Sequence, residues 1–486
     1  MGSVGGATCH VTTVPCREID GAERHVLPSV AVSHTSKGQG AVLLVFVNTE
    51  DRSSPPRCAS LWQDRATIPV RLAGDPQVGV CGKVGTYGAT FALTMELTAL
   101  SRSSDTRTPA HYSLMDCRVE DFAAIVEQPV DLDDFPLADR IDQGVVVYES
   151  NSLRRRIGEV AGRLEAQAEF VRVLDEGPGV LVLTGAFDDD GVLDTATDVF
   201  RGIIEAEKVA GTAAGDHFAT PGANDRVWNA LEKFAVEDPD TFIRYYSNDM
   251  LALICEAWLG PRYQVTSQLN QVNPGGKAQS PHRDYHLGFQ TMESAQAFPR
   301  HIHRMSAMLT LQGAVAHVDM PMETGPTFLI PNSQKYGPGY IASHLPEFQE
   351  YSNKRAVQVP LGRGDAIFFN PALFHGAGEN VSDHVLRLGN LLQISSAFGR
   401  AMESIDRARM IKAIYPSLVK WKASGGSETD LRNAIAASAE GYAFPSDLDA
   451  HPPSGSEPPP AQADLVTMAL REEWSPTRLA TALESL

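Results

Sequence analysis

After Gly260-Pro261 the chain leaves helical spacing for seven short strand-like stretches: YQVTSQLNQV (263–272), SPHRDYHLGF (280–289), RMSAMLTLQGAV (304–315), TFLIP (327–331), AVQVPL (356–361), AIFFN (366–370) and RLGNLLQIS (387–395). Short runs rich in β-branched and aromatic residues, separated by turn formers, pair as antiparallel strands. Helical spacing precedes them over 152–174, around 191–209, near 224–235 and over 239–259, with GVLVLTGAF (179–187) reading as a buried strand. Helices followed by a run of short strands predict an α+β chain built on a helix-flanked antiparallel β fold such as a jelly roll.

The two ends have a different texture. Residues 1–125 predict a small β-rich accessory region of unknown role, with strand-like runs at 41–50, 67–72 and 78–88. Their pattern faintly resembles the C-terminal β-sandwich of some arabinofuranosidase-type glycosidases, without a catalytic motif. Residues 421–486 predict a helical C-terminal extension carrying a Pro-rich linker, HPPSGSEPPP (451–460), and two short exposed helices. The six cysteines include no CxxC pair and read as free thiols. The formal net charge is −19, which argues against a nucleic-acid partner, since that needs a clustered basic face. No apolar run approaches the ~20 residues of a membrane span. The opening MGSVGGATCHVTTVPC lacks the basic and apolar regions of a secretory leader. The expectation is a cytoplasmic protein, monomer or homodimer, acting on a small-molecule substrate.

Polar residues interrupt the strand-like stretches where a core should be apolar. In an extended segment His282 and Asp284 share one face and reach one point together. His375 follows the AIFF stretch, with Gly376 and Gly378 leaving room beside it. Arg387 lies twelve residues on, inside LRLGNLLQI. A buried arginine needs an anion, and a ligand carboxylate suits its planar fork. Two imidazoles and a carboxylate on one side of an octahedral metal form the facial triad of non-haem Fe(II) oxygenases. That triad leaves three open positions, two for a chelating 2-oxo acid and one for O2.

HRD at 282–284, ETGPTFLIPNSQKYG at 323–337, RGDAIFF at 363–369 and HGAGENVSDHVLR at 375–387 together resemble the phytanoyl-CoA dioxygenase family of Fe(II)/2-oxoglutarate oxygenases. The resemblance covers residues 140–420. It implies a double-stranded β-helix (jelly roll, cupin-like), iron at His282, Asp284 and His375, and 2-oxoglutarate on Arg387. The family often has PGSH where this chain has Pro331-Asn332-Ser333-Gln334, a change in a structural turn. Halogenases of the superfamily replace the triad carboxylate with a small residue, so Asp284 implies hydroxylation, desaturation or rearrangement instead. Family members also place amides where Gln268 and Asn270 share a strand face, which makes these two candidates for contacting 2-oxoglutarate or substrate.

The expected activity is hydroxylation of a lipid-like or secondary-metabolite substrate, with release of succinate and CO2. The alternative is a cupin-like hydrolase or isomerase using the same triad without 2-oxoglutarate. His286 reads as a histidine beside the site or partly exposed, and His301, His303 and His317 as structural or surface. Arg283 and Tyr285 point away from the triad face. Lys277 and Arg304 read as solvated charges, and Trp228 as a pocket cap or a packing residue.

Overall fold

A computed structural model describes residues 109–486, apart from 213–221, 285–290, 451, 454 and 456, together with the backbone of four earlier strands. The chain divides into two compact units, Met1–Thr108 and Pro109–Leu486. In the first, β1 (Val30–Ser36), β2 (Ala41–Val47), β3 (Gly82–Tyr87) and β4 (Thr90–Glu96) form an antiparallel sheet in the order β1-β2-β4-β3. The strand expected at 67–72 lies outside the described residues.

The second unit is α+β. Eight strands form its large sheet: β5 (Arg140–Asp142), β6 (Val145–Glu149), β7 (Val180–Thr184), β8 (Asn224–Val227), β9 (Gln264–Val272), β10 (Thr310–Ala316), β13 (Ala366–Phe369) and β15 (Arg387–Ser395), in the order β5-β6-β7-β13-β10-β15-β9-β8. Every neighbouring pair is antiparallel except β6 and β7. A small sheet joins β11 (Phe328–Ile330), β12 (Val357–Gln358) and β14 (Phe374–Gly376) in the order β12-β11-β14. The two sheets are the halves of a double-stranded β-helix.

Alternation along the strands decides what each face meets. Phe368 of β13, Leu181 of β7 and Leu392 of β15 face the helical layer, where they join Phe170, Phe200, Phe234 and Ile414 in the main core. Their neighbours Ile367, Phe369, Val180 and Val182 turn the other way and meet Leu329 of the small sheet. Because β7 and β13 are covered on both faces, their sequences VLVLT and AIFF run almost continuously apolar.

Several expected elements have different boundaries. The 152–174 helix is two, Ser150–Ile157 and Val160–Asp175. They approach so closely that a Cβ on Gly162 would sit 2.2 Å from the Arg156 carbonyl oxygen. The 239–259 helix is likewise Pro239–Tyr246 and Asp249–Leu259, restarted by Asn248, whose side chain accepts from the Met250 and Leu251 amides. The expected helix at 224–235 begins as edge strand β8. Asn229 turns left-handed at φ 51° and the helix starts only at Ala230.

The stretch 304–315 is not all strand. Arg300–Met308 is a helix opened by Pro299, burying His303, Ser306 and Ala307 at helical spacing, and β10 follows. Around His282 the structure shows a single β-bridge rather than a strand. Pro281 precedes it and Pro371 lies on the opposing segment, and neither has an N–H for a ladder. The two C-terminal helices, Gln462–Arg471 and Pro476–Glu484, are not free-standing. They bury Leu465, Val466, Leu470, Leu479 and Leu483 in the main core, and Tyr415 Oη donates to the Ala469 and Trp474 carbonyls. Among the described residues no helix is long and apolar enough to cross a membrane.

Leu465→Ala should lower the stability of the intact chain by about 2–4 kcal/mol in chemical denaturation. An exposed helix would show almost no change.

Candidate metal centre and its pocket

His282 and His375 are bound to each other through the main chain. The His282 amide donates to the His375 carbonyl and the His375 amide returns the bond, each at 3.0 Å. His375 sits on β14, whose partner β11 sets Leu329 opposite it. Two residues past His282, the Asp284 amide donates to the Pro371 carbonyl at 3.0 Å, which holds the extended segment against the chain leading into β14.

Each imidazole is oriented by its own neighbourhood. His282 Nδ1 lies 2.9 Å from the Ser280 carbonyl oxygen and His375 Nδ1 lies 2.9 Å from the Leu373 carbonyl oxygen. A carbonyl only accepts, so each Nδ1 carries a proton and Nε2 is the nitrogen turned toward the site. The two Nε2 atoms point at the Asp284 carboxylate, His282 at 3.9 Å from Oδ1 and His375 at 3.7 Å from Oδ2. One ligating atom from each of the three residues lies within 4.8 Å of the others. Gln312 of β10 donates to Asp284 Oδ2 at 2.5 Å.

Burial would raise the Asp284 pKa, but His375, His282 and the Gln312 amide together hold it well below the usual carboxylate range. Burial, and then the charge of His375, lower that of His282. An ionised Asp284 carboxylate and a His282 imidazole pushed toward its neutral form suit a divalent cation, which binds deprotonated ligands.

The cavity over these side chains has a volume of about 770 Å³, within the range of small-molecule sites. Its sheet wall can be read from the register. Gln393 pairs with Gln312 and Thr266, Leu391 with Ala314 and Gln268, Gly389 with Ala316 and Asn270, and Arg387 with Val272. Arg387 and Gln393 therefore project from the same face of β15.

Arg387 is buried at 7% exposure. Its Nη1 donates to the Thr324 carbonyl at 2.8 Å and the Gly378 carbonyl at 3.3 Å. Those carbonyls come from two loops that cross with no room for side chains: a Cβ on Gly325, at φ +66°, would meet the Glu379 carbonyl oxygen at 2.2 Å, and one on Gly378 the Pro326 carbonyl oxygen at 2.7 Å. Among the described residues no carboxylate pairs with Arg387, and burial alone pulls its pKa down to about 10.

Gln268 and Asn270 both line the cavity. Gln268 is engaged by protein: its Oε1 accepts from Arg226 Nη2 and its Nε2 donates to Glu403 Oε1 at 3.4 Å. Arg226 in turn lies 4.6 Å over the Trp228 ring.

Arg283 turns away from the triad to the Ser333 and Tyr336 carbonyls, and stacks on Tyr340 and Phe374. In the changed PGSH turn, Asn332 is left-handed and Ser333 Oγ accepts from the Phe374 amide, one residue before His375. His317 is buried between Thr197 and Tyr245, and His303 is bound to the Ala295 carbonyl. Lys277 pairs with Glu379 on the surface. Tyr285 and His286 lie outside the described residues.

Gln312, Gln393, Arg226 and Glu403 also line the cavity and escaped the sequence reading. The signal that marks Arg387, a polar residue inside an apolar strand, applies equally to Gln312 in TLQGAVA and Gln393 in LLQIS. Glu403 lies in irregular chain after β15, where no periodicity singles it out.

Residues 176–389 match the family model described as phytanoyl-CoA dioxygenase (PhyH). Among curated proteins it is similar to dioxygenase cdmD of Talaromyces verruculosus, 32% identical over 156 residues, which is 31% of this chain and 46% of that protein. It is also similar to dioxygenase trt7 of Aspergillus terreus (strain NIH 2624 / FGSC A1156), 30% identical over 128 residues, which is 26% of this chain and 39% of the relative. The chain thus spans under half the length of the curated relatives it matches. Among solved structures it is similar to the non-heme alpha ketoglutarate dependent epimerase SnoN from nogalamycin biosynthesis, with 20% identity and a TM-score of 0.32, covering 49% of this chain and 84% of that one. It is similar too to the carbocyclase SnoK, with 18% identity and a TM-score of 0.34, covering 47% and 83%.

The hydrogen bonds to Ser280 and Leu373 make a spectroscopic prediction. Long-range ¹H–¹⁵N spectra of the metal-free, histidine-labelled protein at neutral pH should show His282 and His375 as the Nδ1–H tautomer. Ala substitutions assign the two signals, and an Nε2–H tautomer at either residue would contradict the geometry.

Proposed function

We propose that the chain is an Fe(II)- and 2-oxoglutarate-dependent dioxygenase that hydroxylates a small organic, lipid-like or secondary-metabolite substrate, releasing succinate and CO2. The observation that carries this reading is the convergence of two imidazole Nε2 atoms and one carboxylate on a single point inside a small-molecule cavity. The donor set fits the metal: two neutral imidazoles and a carboxylate are the facial triad of non-haem iron oxygenases.

In this reading His282, Asp284 and His375 hold the iron. When bound, iron and 2-oxoglutarate supply the oxidising power toward an unactivated C–H bond. The protein's contribution is positional. The Ser280 and Leu373 carbonyls fix the imidazole tautomers and strengthen their donor character. Gln312 holds the Asp284 carboxylate in place. Arg387, without an anionic partner among the described residues, takes the far carboxylate of the co-substrate, with its guanidinium already aimed by two carbonyls. Ile367, Phe369 and Leu391 give the cavity an apolar wall that keeps water from the reacting carbon.

Purified protein should form succinate from 2-oxoglutarate only when Fe(II) and O2 are both present. Asp284→Ala should lower that rate at least about a hundredfold, given the 10–100-fold cost even of losing an outer partner of a metal ligand. Metal-dependent hydrolysis or isomerisation without 2-oxoglutarate would move the site to the cupin-like alternative.

Arg387→Met should weaken 2-oxoglutarate binding by about 3 kcal/mol, roughly a hundredfold, as expected for a truncated buried charge pair. Titration of the variant should show Fe(II) affinity unchanged. An unaltered 2-oxoglutarate affinity would remove Arg387 from the proposed site.

A further inference from the structure

Arg283 stands between two of the candidate ligands, His282 and Asp284, with its side chain turned to the opposite side of the segment. It is buried at 7% exposure. Among the described residues no carboxylate pairs with it, and its Nη2 donates to the Ser333 and Tyr336 carbonyls instead. Those carbonyls do not depend on the arginine: Ser333 already accepts from the Tyr336 amide, and Tyr336 from the Gly339 amide. A buried cation that meets only neutral acceptors gains little in return for its desolvation, and an apolar side chain of similar size often stabilises such a place as well or better. Global stability therefore does not account for Arg283.

Its contacts lead back to the candidate ligands. Ser333 Oγ accepts from the Phe374 amide at 2.7 Å, and the guanidinium lies 5.0 Å from the centre of the Phe374 ring. Phe374 precedes His375, which is paired with His282. The contacts Arg283–Ser333–Phe374–His375–His282 thus close on themselves. A second branch runs through Tyr340, whose ring centre lies 5.1 Å from the guanidinium and whose hydroxyl donates to the Asp284 main-chain carbonyl at 3.4 Å. The guanidinium rests on bare main chain, since a Cβ on Gly339 would sit 2.0 Å from Arg283 Cζ.

The main-chain bonds of His282 and Asp284 all go to one neighbouring stretch, 371–375. The bridge at His282 is isolated rather than part of a ladder, so these bonds leave the segment able to tilt about that line. A tilt would carry His282 Nε2 and the Asp284 carboxylate together away from His375. Arg283, projecting from the other side of the same backbone, opposes it.

We propose that Arg283 is a positioning residue of the metal centre, and that its guanidinium, held among Ser333, Tyr340 and Phe374, sets the spacing of His282 and Asp284 from His375. The role rests on the oxygenase reading above, which makes those three residues the ligands.

Co(II) is the probe, titrated into the metal-free intact chain and read by calorimetry and by its visible absorption. Wild type should bind one Co(II), and Asp284→Ala should abolish that binding. Arg283→Met should weaken it at least about tenfold, as when an outer partner of a metal ligand is lost, and should shift the visible bands. The unfolding midpoint of the metal-free Arg283→Met chain should stay at the wild-type value. Gly339→Ala leaves the charge in place and displaces only the guanidinium. It should weaken Co(II) binding likewise, and it decides the matter alone if Arg283→Met does not fold. Wild-type Co(II) affinity in either folded variant would overturn the role, and so would a loss of affinity seen only where the metal-free chain is destabilised as well. Failure of wild type to bind Co(II) would instead overturn the oxygenase reading on which the role rests.

Discussion

Two amide hydrogen bonds between His282 and His375 are the constraint on which the rest of the site depends. They join a proline-flanked extended segment to a short strand and bring two imidazoles to one side of the chain crossing. The Ser280 and Leu373 carbonyls turn the rings, Gln312 holds Asp284, and the Asp284 amide is tied to Pro371. Breaking the pairing would separate the candidate ligand atoms while leaving every individual side chain intact. The double-stranded β-helix supplies the pairing, since its small sheet carries His375 and its large sheet carries Gln312 and Arg387.

Much of this was legible in the sequence because charge inside an apolar strand is costly and so stands out. His282, Asp284, His375 and Arg387 could be picked out by that rule, and the strands from 263 onward by their length and turn residues. The places where the reading went astray share one cause: tertiary contacts decide boundaries that local spacing leaves open. The segment from Arg300 to Met308 carries apolar residues compatible with either period, and only the burial of His303, Ser306 and Ala307 settles it as a helix. The C-terminal helices follow a Pro-rich break, and local spacing does not say what covers their apolar residues, yet Leu465 and Leu470 reach the main core. Glu403 left no trace at all, because a loop has no period for a polar residue to interrupt.

The large sheet illustrates a division of labour between its two faces. The helical side is packed with Phe368, Leu392 and their neighbours and can be made stable without reference to any ligand. The cavity side carries Gln312, Gln393, Asn270 and Arg387, each of which a purely structural design would replace with an apolar residue. Polar side chains gathered on the cavity face of a well-packed sheet fit a protein that gives up some stability in its empty form for ligands that complete it.

The most direct measurement is anomalous diffraction at the iron absorption edge from crystals grown with Fe(II) and 2-oxoglutarate under exclusion of O2. The account requires one peak coordinated by Nε2 of His282, Nε2 of His375 and an oxygen of Asp284, with the far carboxylate of the diacid on Arg387. A peak outside this triad, a triad with one side chain turned away, or a diacid bound elsewhere would contradict it.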